Sequence, residues 1–558
     1  MKSTPVYDYV VAGGGSAGCT LAARLCEDRN VSVCLIEAGG NGRNLFIRMP
    51  AGNGFVFGNP RLDWGFTSIA QKNLHGRQIY FPRGKGLGGT SNLNGMMYMR
   101  GVPKDYDRWR DSGLDDWGYS NLLPYFKRSE CSRDRRDSWH GVNGPLKTEP
   151  SVNFSTLDRA FIDSAVRAGH RFLDDLNGPE RTGVAISDCT VHKGVRQSSA
   201  LAYLEKRPSN LTVLTGKHIH RIAFDGTRAA GVEMVDGSII RADREVISCL
   251  GAFGSPQVLM LSGIGSAAHL ESHGISARVD LPAVGRYLAD HVDVSMQYGS
   301  DRMDLSLARF QRLDKAAGLM ARWLWNGSGP GGGAFFSAVL FHAINDPELP
   351  DMEVFMTPMT ISENLTDGNN ERTPLSQLLG RKLLVRGRKV AKPGVQIDIN
   401  LERPYSTGTV CLADSDPMSH PLIDPNYFSD ERDLDVLREG VAVMREVMSQ
   451  SEISQYLNGE LAPWKGARSV EQINEAIRAS AYTGHHPCST VRMGGVDDDS
   501  ALDANLCVRG VQGLRVCDAS AMPTQITGNL NATVIAMAEK AADLILGKPP
   551  LPPEDPQP

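Results

Sequence analysis

The sequence has no Cys-x-x-Cys pair, no apolar run near the ~18 residues needed to span a bilayer, and no large excess of charge of either sign. Each absence removes a class. Ten cysteines scattered from Cys19 to Cys517 without framework spacing argue against a disulfide scaffold and read as reduced, intracellular usage. Without a hydrophobic span, the expectation is a soluble cytoplasmic protein with no transmembrane segment, docking to a membrane surface being left open. A net charge of −5 offers no electrostatic footprint for nucleic acid or an anionic membrane. The local basic cluster Arg372, Arg381, Lys382, Arg386, Arg388 and Lys389 reads as a solvated loop. The first apolar run begins within a few residues of Met1, which leaves no room for a signal peptide. No internal repeat is evident.

What is present is length, glycine and enough apolar content for a large core. The chain has 558 residues, 58 of them glycine, and is 41% hydrophobic, so two domains in one body are expected. From Asp8 to Glu37 the parts of a nucleotide-binding βαβ unit follow in order: an apolar run through Tyr9, Val10 and Val11, then Gly13-Gly14-Gly15-Ser16-Ala17-Gly18, a helical pattern with Leu21, Ala22 and Leu25, and a second apolar run ending at Glu37. Gly13 permits the tight turn, Gly15 lets backbone approach a pyrophosphate, and Gly18 lets helix and strand pack closely. Free amides and the positive end of the helix dipole, including Ser16 and Ala17, then face the anion. Glu37, about 20 residues on, sits where an acid accepts hydrogen bonds from a ribose. The cofactor predicted at this point is NAD or FAD.

A second glycine-rich stretch runs from Arg83 to Gly95 and continues into Met96, Met97 and Tyr98. Its five glycines cannot form a helix or strand interior, where each costs about 0.5–1 kcal/mol, so backbone is wanted close to something flat or anionic. With Asp105, Tyr106 and Trp109 after it, this stretch resembles the first signature of the glucose-methanol-choline (GMC) oxidoreductases. Gly251 to Gly265 resembles the second, and His485-His486-Pro487-Cys488-Ser489-Thr490-Val491-Arg492-Met493-Gly494 is similar to the family's His-Pro-x-x-Thr-x-x-Met-Gly motif. The resemblance covers roughly residues 5 to 547, is weakest between about 295 and 395, and points to the bacterial branch that is choline-dehydrogenase-like.

The resemblance implies FAD rather than NAD, and an α/β fold. A Rossmann-like FAD-binding domain is expected in three pieces, near 1–150, 205–292 and 480–547. A substrate-binding domain of antiparallel sheet plus helices is expected from 151–204 and 293–479. Local patterns agree: Asn210 to Ile222 and Gly231 to Ile240 alternate like strands, Arg244 to Ser248 reads as a buried strand, Val395 to Glu402 as a half-buried one, and Asp430 to Gln450 as a helix. Ser328 to Gly333 and Ser362 to Asn370 read as loops, and the proline-rich end 548–558 as a disordered tail.

For chemistry, the resemblance implies oxidation of an alcohol by hydride transfer to the flavin, with His486 as general base. Counting back from Ala536-Met537-Ala538-Glu539-Lys540 places the family's second residue on Asn529, which positions the hydroxyl and cannot itself serve as a base. Cofactor contacts carried over are Ala38, Trp64, Arg83, Gly88, Gly89, Thr90, Asn94, Gly95, Met96, Met97, Ile219, Asp518, Ala519, Asn531 and Thr533. Leu93 stands where some members attach FAD through a histidine, so the FAD is expected to be non-covalent. The expected partners are a small-molecule alcohol and an electron acceptor, either oxygen, a quinone or an electron-transfer protein. A monomer or homodimer is expected. His485 reads as packing and no metal site is expected. The alternative kept open is the same fold acting as a lyase or decarboxylase without net alcohol oxidation. The substrate is not fixed: Trp323, Trp325, Phe335, Phe336, Phe341 and Phe355 mildly favour a primary or aromatic alcohol over a sugar, while Glu353, Glu402 or Trp325 are candidates for a choline-type cation site.

Overall fold

The strand Val6–Ala12 turns at Gly13, whose φ of 105° only glycine adopts readily, into the helix Ser16–Leu25, which returns through the strand Val33–Glu37. Val10, Val11, Ala12 and Val33 to Ile36 are fully buried, because this sheet is covered on both faces and its strands are apolar throughout rather than alternating. A Cβ at Gly18 would lie 1.8 Å from the Gly13 carbonyl oxygen, so only glycine allows the helix to cross its own turn this closely. The helix packs against the C-terminal helix Asn531–Ile545 and against Ser199–Leu204. This is a computed structural model, and it describes residues 5–152, 154–361, 391–496 and 498–556. The basic cluster from Arg372 to Lys389 and the expected loop Ser362 to Asn370 lie outside the described residues.

The first sheet runs in the order Leu211–Thr215, Val33–Glu37, Val6–Ala12, Ile239–Ser248, Arg228–Met234, Ile219–Asp225. Leu514–Val516 pairs in parallel with the far half of Ile239–Ser248. The strands nearest the glycine turn are parallel and the last three antiparallel. Two sequence expectations change here. Asn210 to Ile222 is two strands, broken at Gly216 (φ 71°), and Gly231 to Ile240 crosses a hairpin turn at Gly237 (φ 78°).

The second sheet is antiparallel, in the order Ala481–Thr483, Val292–Gly299, Gly394–Leu401, Met352–Thr357, Ala338–His342, Gly183–Ile186. On one face Val294, Met296, Ile397, Ile399, Val354 and Met356 pack against the helices Arg432–Ser449 and Thr156–Arg167. Its other face is polar, carrying Asp293, Ser295, Gln297, Gln396, Asp398, Asn400 and Glu353, and turns toward the first sheet. The strand expected to be half-buried is therefore buried at every residue from Gly394 to Leu401: its polar face is shut away from solvent by the other half of the molecule. The short strand Ala481–Thr483 pairs antiparallel with Val292–Gly299 at the edge of this sheet.

The proline-rich end, expected to be disordered, is instead docked. The Leu551 amide donates to the Tyr125 hydroxyl at 3.0 Å, the Glu554 amide donates to the Ser120 carbonyl at 2.9 Å, and Lys127 pairs with the Glu554 carboxylate. Proline fixes the backbone in advance, so ordering this segment costs little entropy, and Leu551 packs on the core. No helix among the described residues is long and apolar enough to cross a membrane.

Candidate active site and cofactor cleft

Between the polar face of the second sheet and the carboxyl ends of the first lies a cavity of about 1660 Å³. Such an edge is where open α/β sheets hold ligands. Gly13, Gly15, Ser16, Ala17, Glu37 and Ala38 line one end. Trp64, Arg83, Gly89, Thr90, Asn94, Gly95, Met96, Met97, Ile219, Asp518, Ala519 and Asn531 line its length, with His486 and Asn529 among them. Three residues proposed from sequence do not line it. Gly18 faces the Gly13 carbonyl, Gly88 (φ 102°) donates its amide to the Gly14 carbonyl at 2.7 Å and shapes the turn, and the buried Thr533 hydroxyl hydrogen-bonds the Tyr106 hydroxyl at 2.6 Å. Their work is to hold the walls.

Glu37 ties the two glycine-rich loops together. One carboxylate oxygen accepts from the Gly14 amide at 2.9 Å, and the other from the amides of Gly39 at 2.7 Å and Gly86 at 2.9 Å. Burial pushes its carboxyl above the usual range and these amides oppose that shift. A Cβ at Gly89 (φ 51°) would lie 2.6 Å from the Gly15 Cα, so the loops touch backbone to backbone. At Gly15 a Cβ would meet nothing closer than 3.9 Å, because that side opens on the cavity. The Ser16 hydroxyl donates to the Asn531 carboxamide oxygen at 2.7 Å, bringing the starts of the helices Ser16–Leu25 and Asn531–Ile545 together at the wall. Open glycine backbone beside helix N-termini suits a pyrophosphate, and the long cleft beyond suits a flat ring system.

At the far end of the cleft, His486 is set by its backbone and by two side chains. His485 has φ 66°, a left-handed turn that separates the two imidazoles, and its carbonyl accepts from Arg83 at 3.0 Å. The His486 amide donates to Asp290 at 2.8 Å, and the same buried carboxyl accepts from the hydroxyls of Thr483, at 2.6 Å, and Tyr427. Burial lowers His291 and His485 to about 3 and holds His486 well below its ordinary value, with His291, His485 and Arg83 adding to the effect. All three are neutral at physiological pH.

The tautomers follow from the hydrogen-bond network. His291 Nε2 lies 3.0 Å from the Ile526 carbonyl, which can only accept, so Nε2 carries the proton and Nδ1 the lone pair. His486 Nδ1 lies 3.0 Å from that lone pair and must donate to it. The lone pair of His486 is thereby fixed on Nε2, where it accepts from the Asn529 carboxamide Nδ2 at 3.0 Å. Asn529 does not cap the helix, whose N-cap is Leu530, and its buried carboxamide oxygen has no hydrogen-bond partner among the described residues. An acceptor and a donor thus converge on one point of the cavity wall.

Sequence reasoning singled out His486 and Asn529 but not His291 and Asp290, which hydrogen-bond His486. The available signal was Asp290-His291 directly before Val292-Asp293-Val294-Ser295-Met296-Gln297, an alternating strand whose polar members include a charge.

Comparison with known proteins agrees with this geometry. Family models described as GMC oxidoreductase match residues 7–293, for the N-terminal part, and 404–538, for the C-terminal part. An oxygen-dependent choline dehydrogenase of Pectobacterium atrosepticum is 39% identical over 557 residues, covering 98% of this chain and 96% of the relative. One from Ectopseudomonas mendocina is 38% identical, covering 98% and 95%. Among solved structures, pyridoxine 4-oxidase from Mesorbium loti has TM-score 0.82 at 30% identity, covering 96% of this chain and 98% of its own. A formate oxidase of Aspergillus oryzae, described for modification of its FAD, has TM-score 0.86 at 25% identity, covering 98% and 99%. The chain belongs to the GMC oxidoreductase family and is an FAD-dependent oxidoreductase.

Proposed function

We propose that the convergence of the His486 lone pair and the Asn529 amide is the site at which an alcohol is oxidised to its aldehyde or ketone. The reaction requires an acceptor for the hydroxyl proton and a second acceptor for the hydride on carbon. FAD, when bound, supplies the hydride acceptor. His486 Nε2 takes the hydroxyl proton, and Asn529 Nδ2–H donates to the same oxygen and orients it, so that the carbon faces the cleft. The observation that carries this reading is the relay from the Ile526 carbonyl through His291, which leaves Nε2 of His486 with a lone pair and no proton. Gly15, Ser16, Glu37, Ala38, Asp518, Ala519 and Asn531 would hold the cofactor along the cavity wall. Leu93, buried on that wall, has no nucleophilic atom, so at this position the attachment is non-covalent.

The relatives above are named as dehydrogenases and oxidases, none as a lyase or decarboxylase, and the neutral base in place supports net oxidation. The curated relatives carry oxygen in their names, which favours oxygen over a quinone or carrier protein as the electron acceptor. The test is anaerobic mixing of the yellow holoprotein with primary, aromatic, polyol and amino alcohols. One class is expected to bleach the flavin, and His486→Ala to slow that bleaching ~10²–10⁴-fold with the oxidised spectrum kept. Colour returning on admission of air identifies oxygen as acceptor. A loaded flavin that no alcohol bleaches would refute the reading.

A further inference from the structure

Behind the cavity wall a guanidinium is buried without an acid. Arg196 ends the hairpin formed by Val191–His192 and Val195–Arg196 and is 1% exposed. Its Nε donates to the Ile47 carbonyl at 3.0 Å. Nη1 donates to the carbonyls of Asn94, at 2.8 Å, and Ser91, at 3.3 Å, and to the Asn94 carboxamide oxygen at 2.8 Å; Nη2 donates to the carboxamide oxygen of Asn53. Every one of these acceptors is a neutral oxygen, and no carboxylate is paired with Arg196 among the described residues. Arg100, equally buried, has Glu130 at 2.6 Å. Burial lowers Arg196 to about 9, so it stays charged at neutral pH. A buried cation without a counter-ion is costly, and neutral donors would suffice to staple these wall segments together. What the charge adds is a field across the wall, little screened because water is excluded.

The wall in front of Arg196 is the second glycine-rich stretch. Gly89 meets Gly15 at the anion end of the cleft, and Thr90, Leu93, Asn94, Gly95, Met96 and Met97 continue along the cavity from there. The Met96 amide, from a left-handed residue (φ 65°), donates to the same Asn94 carboxamide oxygen at 3.2 Å. Two donors on one atom identify it as the oxygen, which makes the other end of the carboxamide Nδ2. That Nδ2 has no hydrogen-bond partner among the described residues, and Asn94 lines the cavity. A guanidinium on the oxygen polarises the amide and strengthens its N–H as a donor. Such a donor is suited to negative charge arriving in the cleft.

We infer that Arg196, acting through the Asn94 carboxamide, is the fixed counter-charge for the unit of negative charge that a hydride brings to the flavin. Arg196 touches neither substrate nor cofactor and is a positioning residue; Asn94 Nδ2–H is the donor that it orients and polarises. The hydride carries two electrons and one proton from the alcohol carbon, so a neutral ring gains one negative charge while the hydroxyl proton goes to His486. Arg196 thereby favours the reduced state, and it favours equally any other anion that adds to the ring. The inference rests on the cofactor placement proposed above and not on which alcohol is oxidised.

The holoprotein is titrated with sulfite, which adds to a bound flavin as an anion and bleaches it without any alcohol, and its midpoint potential is measured against a reference dye. Wild type is expected to form the adduct and to hold a potential above that of free FAD; failure of both overturns the inference. Arg196→Gln keeps an amide donor and removes the charge. Sulfite should then bind about 10-fold more weakly, and a 10-fold loss in the reduction equilibrium lowers the potential by about 30 mV for a two-electron couple. Asn53→Asp carries the test if Arg196→Gln does not fold. It leaves Arg196 in place and cancels its charge, giving up only the 3.1 Å bond from Asn53 to the Asn94 carbonyl, and it should lower sulfite affinity and potential in the same direction. A staple without an electrostatic role predicts weaker FAD loading in Arg196→Gln and no fall in potential in either variant. Unchanged sulfite affinity and potential in Asn53→Asp, at full flavin occupancy, overturns the counter-charge. If alcohols bleach the flavin while both variants keep the wild-type potential, the counter-charge fails and the oxidation stands. A potential lowered in the variants of an enzyme that no alcohol reduces refutes the oxidation and upholds the counter-charge.

Discussion

Replacing His291 tests whether a residue that touches neither alcohol nor cofactor sets the base. In the structure His291 spends its only ring proton on the Ile526 carbonyl and offers its lone pair to His486 Nδ1–H, both at 3.0 Å. His291→Phe keeps ring volume and removes both bonds. His486 Nδ1–H is then a buried donor without a partner, at a cost of about 1–3 kcal/mol. The ring escapes that cost by moving its proton to Nε2, where it faces the substrate oxygen as a donor and cannot accept. If the productive tautomer is disfavoured by roughly 1.4–2.8 kcal/mol, its population, and the rate of flavin reduction, fall about 10–100-fold. His291→Asn retains an oxygen that can accept from Nδ1 and recovers part of the loss.

The assay is stopped-flow anaerobic reduction of the flavin across pH, with the flavin spectrum as a check on folding. A purely structural role would lower occupancy or stability and leave the rate per loaded flavin unchanged. A tautomer role instead lowers the limiting rate, with little change in the substrate concentration for half-saturation, and changes the acid side of the pH profile. An unchanged limiting rate in His291→Phe, at full flavin occupancy, would refute the reasoning.

The same histidines bear on the pH dependence: in the proposed reaction His486 works as a free base, and its folded value lies below 6.5 because burial, then His291, His485 and Arg83, oppose its cation. Activity should persist as pH falls through 6.5 and be lost only below it, while the stability tied to its neutral burial is full above 6.5 and declines beneath it; a half-maximal rate at or above 6.5 contradicts this. Acid precipitation should leave a colourless pellet and a yellow supernatant, because Leu93 cannot bond the flavin; colour retained in the pellet means a covalent link elsewhere. Gly89→Ala forces a Cβ to within 2.6 Å of the Gly15 Cα at a left-handed backbone position, so FAD should bind at least ~10-fold more weakly, read from the ratio of visible to ultraviolet absorbance; normal loading would show that the loops can part.

The nucleotide half of the site was legible because its constraints are local. Gly13, Gly15 and Gly18 are demanded by a turn, an open wall and a helix crossing within a few residues of one another, and such demands leave a fixed spacing. Gly88 and Thr533 face away from the cavity, onto the Gly14 carbonyl and the Tyr106 hydroxyl, whereas sequence shows that a residue is small or polar, not which way it faces. His291 was not legible: its role comes from pairing with a residue 195 positions away. The docked proline-rich end was misread for a related reason, since composition reports how stiff a segment is and not whether Tyr125 and Ser120 wait to receive it. The fully buried strand Gly394–Leu401 shows the same limit, because its alternation reports two chemically different faces, not solvent on one of them.

Burial acts in two directions in this cavity and the result is mutually consistent. It lowers His291, His485 and His486 and raises the acids, Asp398 on the cavity wall to about 6 and Glu353 behind it to about 8. Arg83 is the counterexample, a buried guanidinium lowered to about 10 that still keeps its charge at neutral pH. That charge opposes protonation of His486, so Nε2 stays unprotonated at neutral pH, but it also makes His486 a weak base. A weak base gives modest driving force for taking an alcohol proton, and the remaining barrier lowering must come from where the hydroxyl is held. The geometry suits that division of work: Asn529 donates to the point at which His486 accepts, the two are 3.0 Å apart, and His486 follows the strand Ala481–Thr483 while Asn529 directly precedes the helix Asn531–Ile545. In the proposed reaction, catalysis depends more on fixing one oxygen between two nitrogens than on the strength of either.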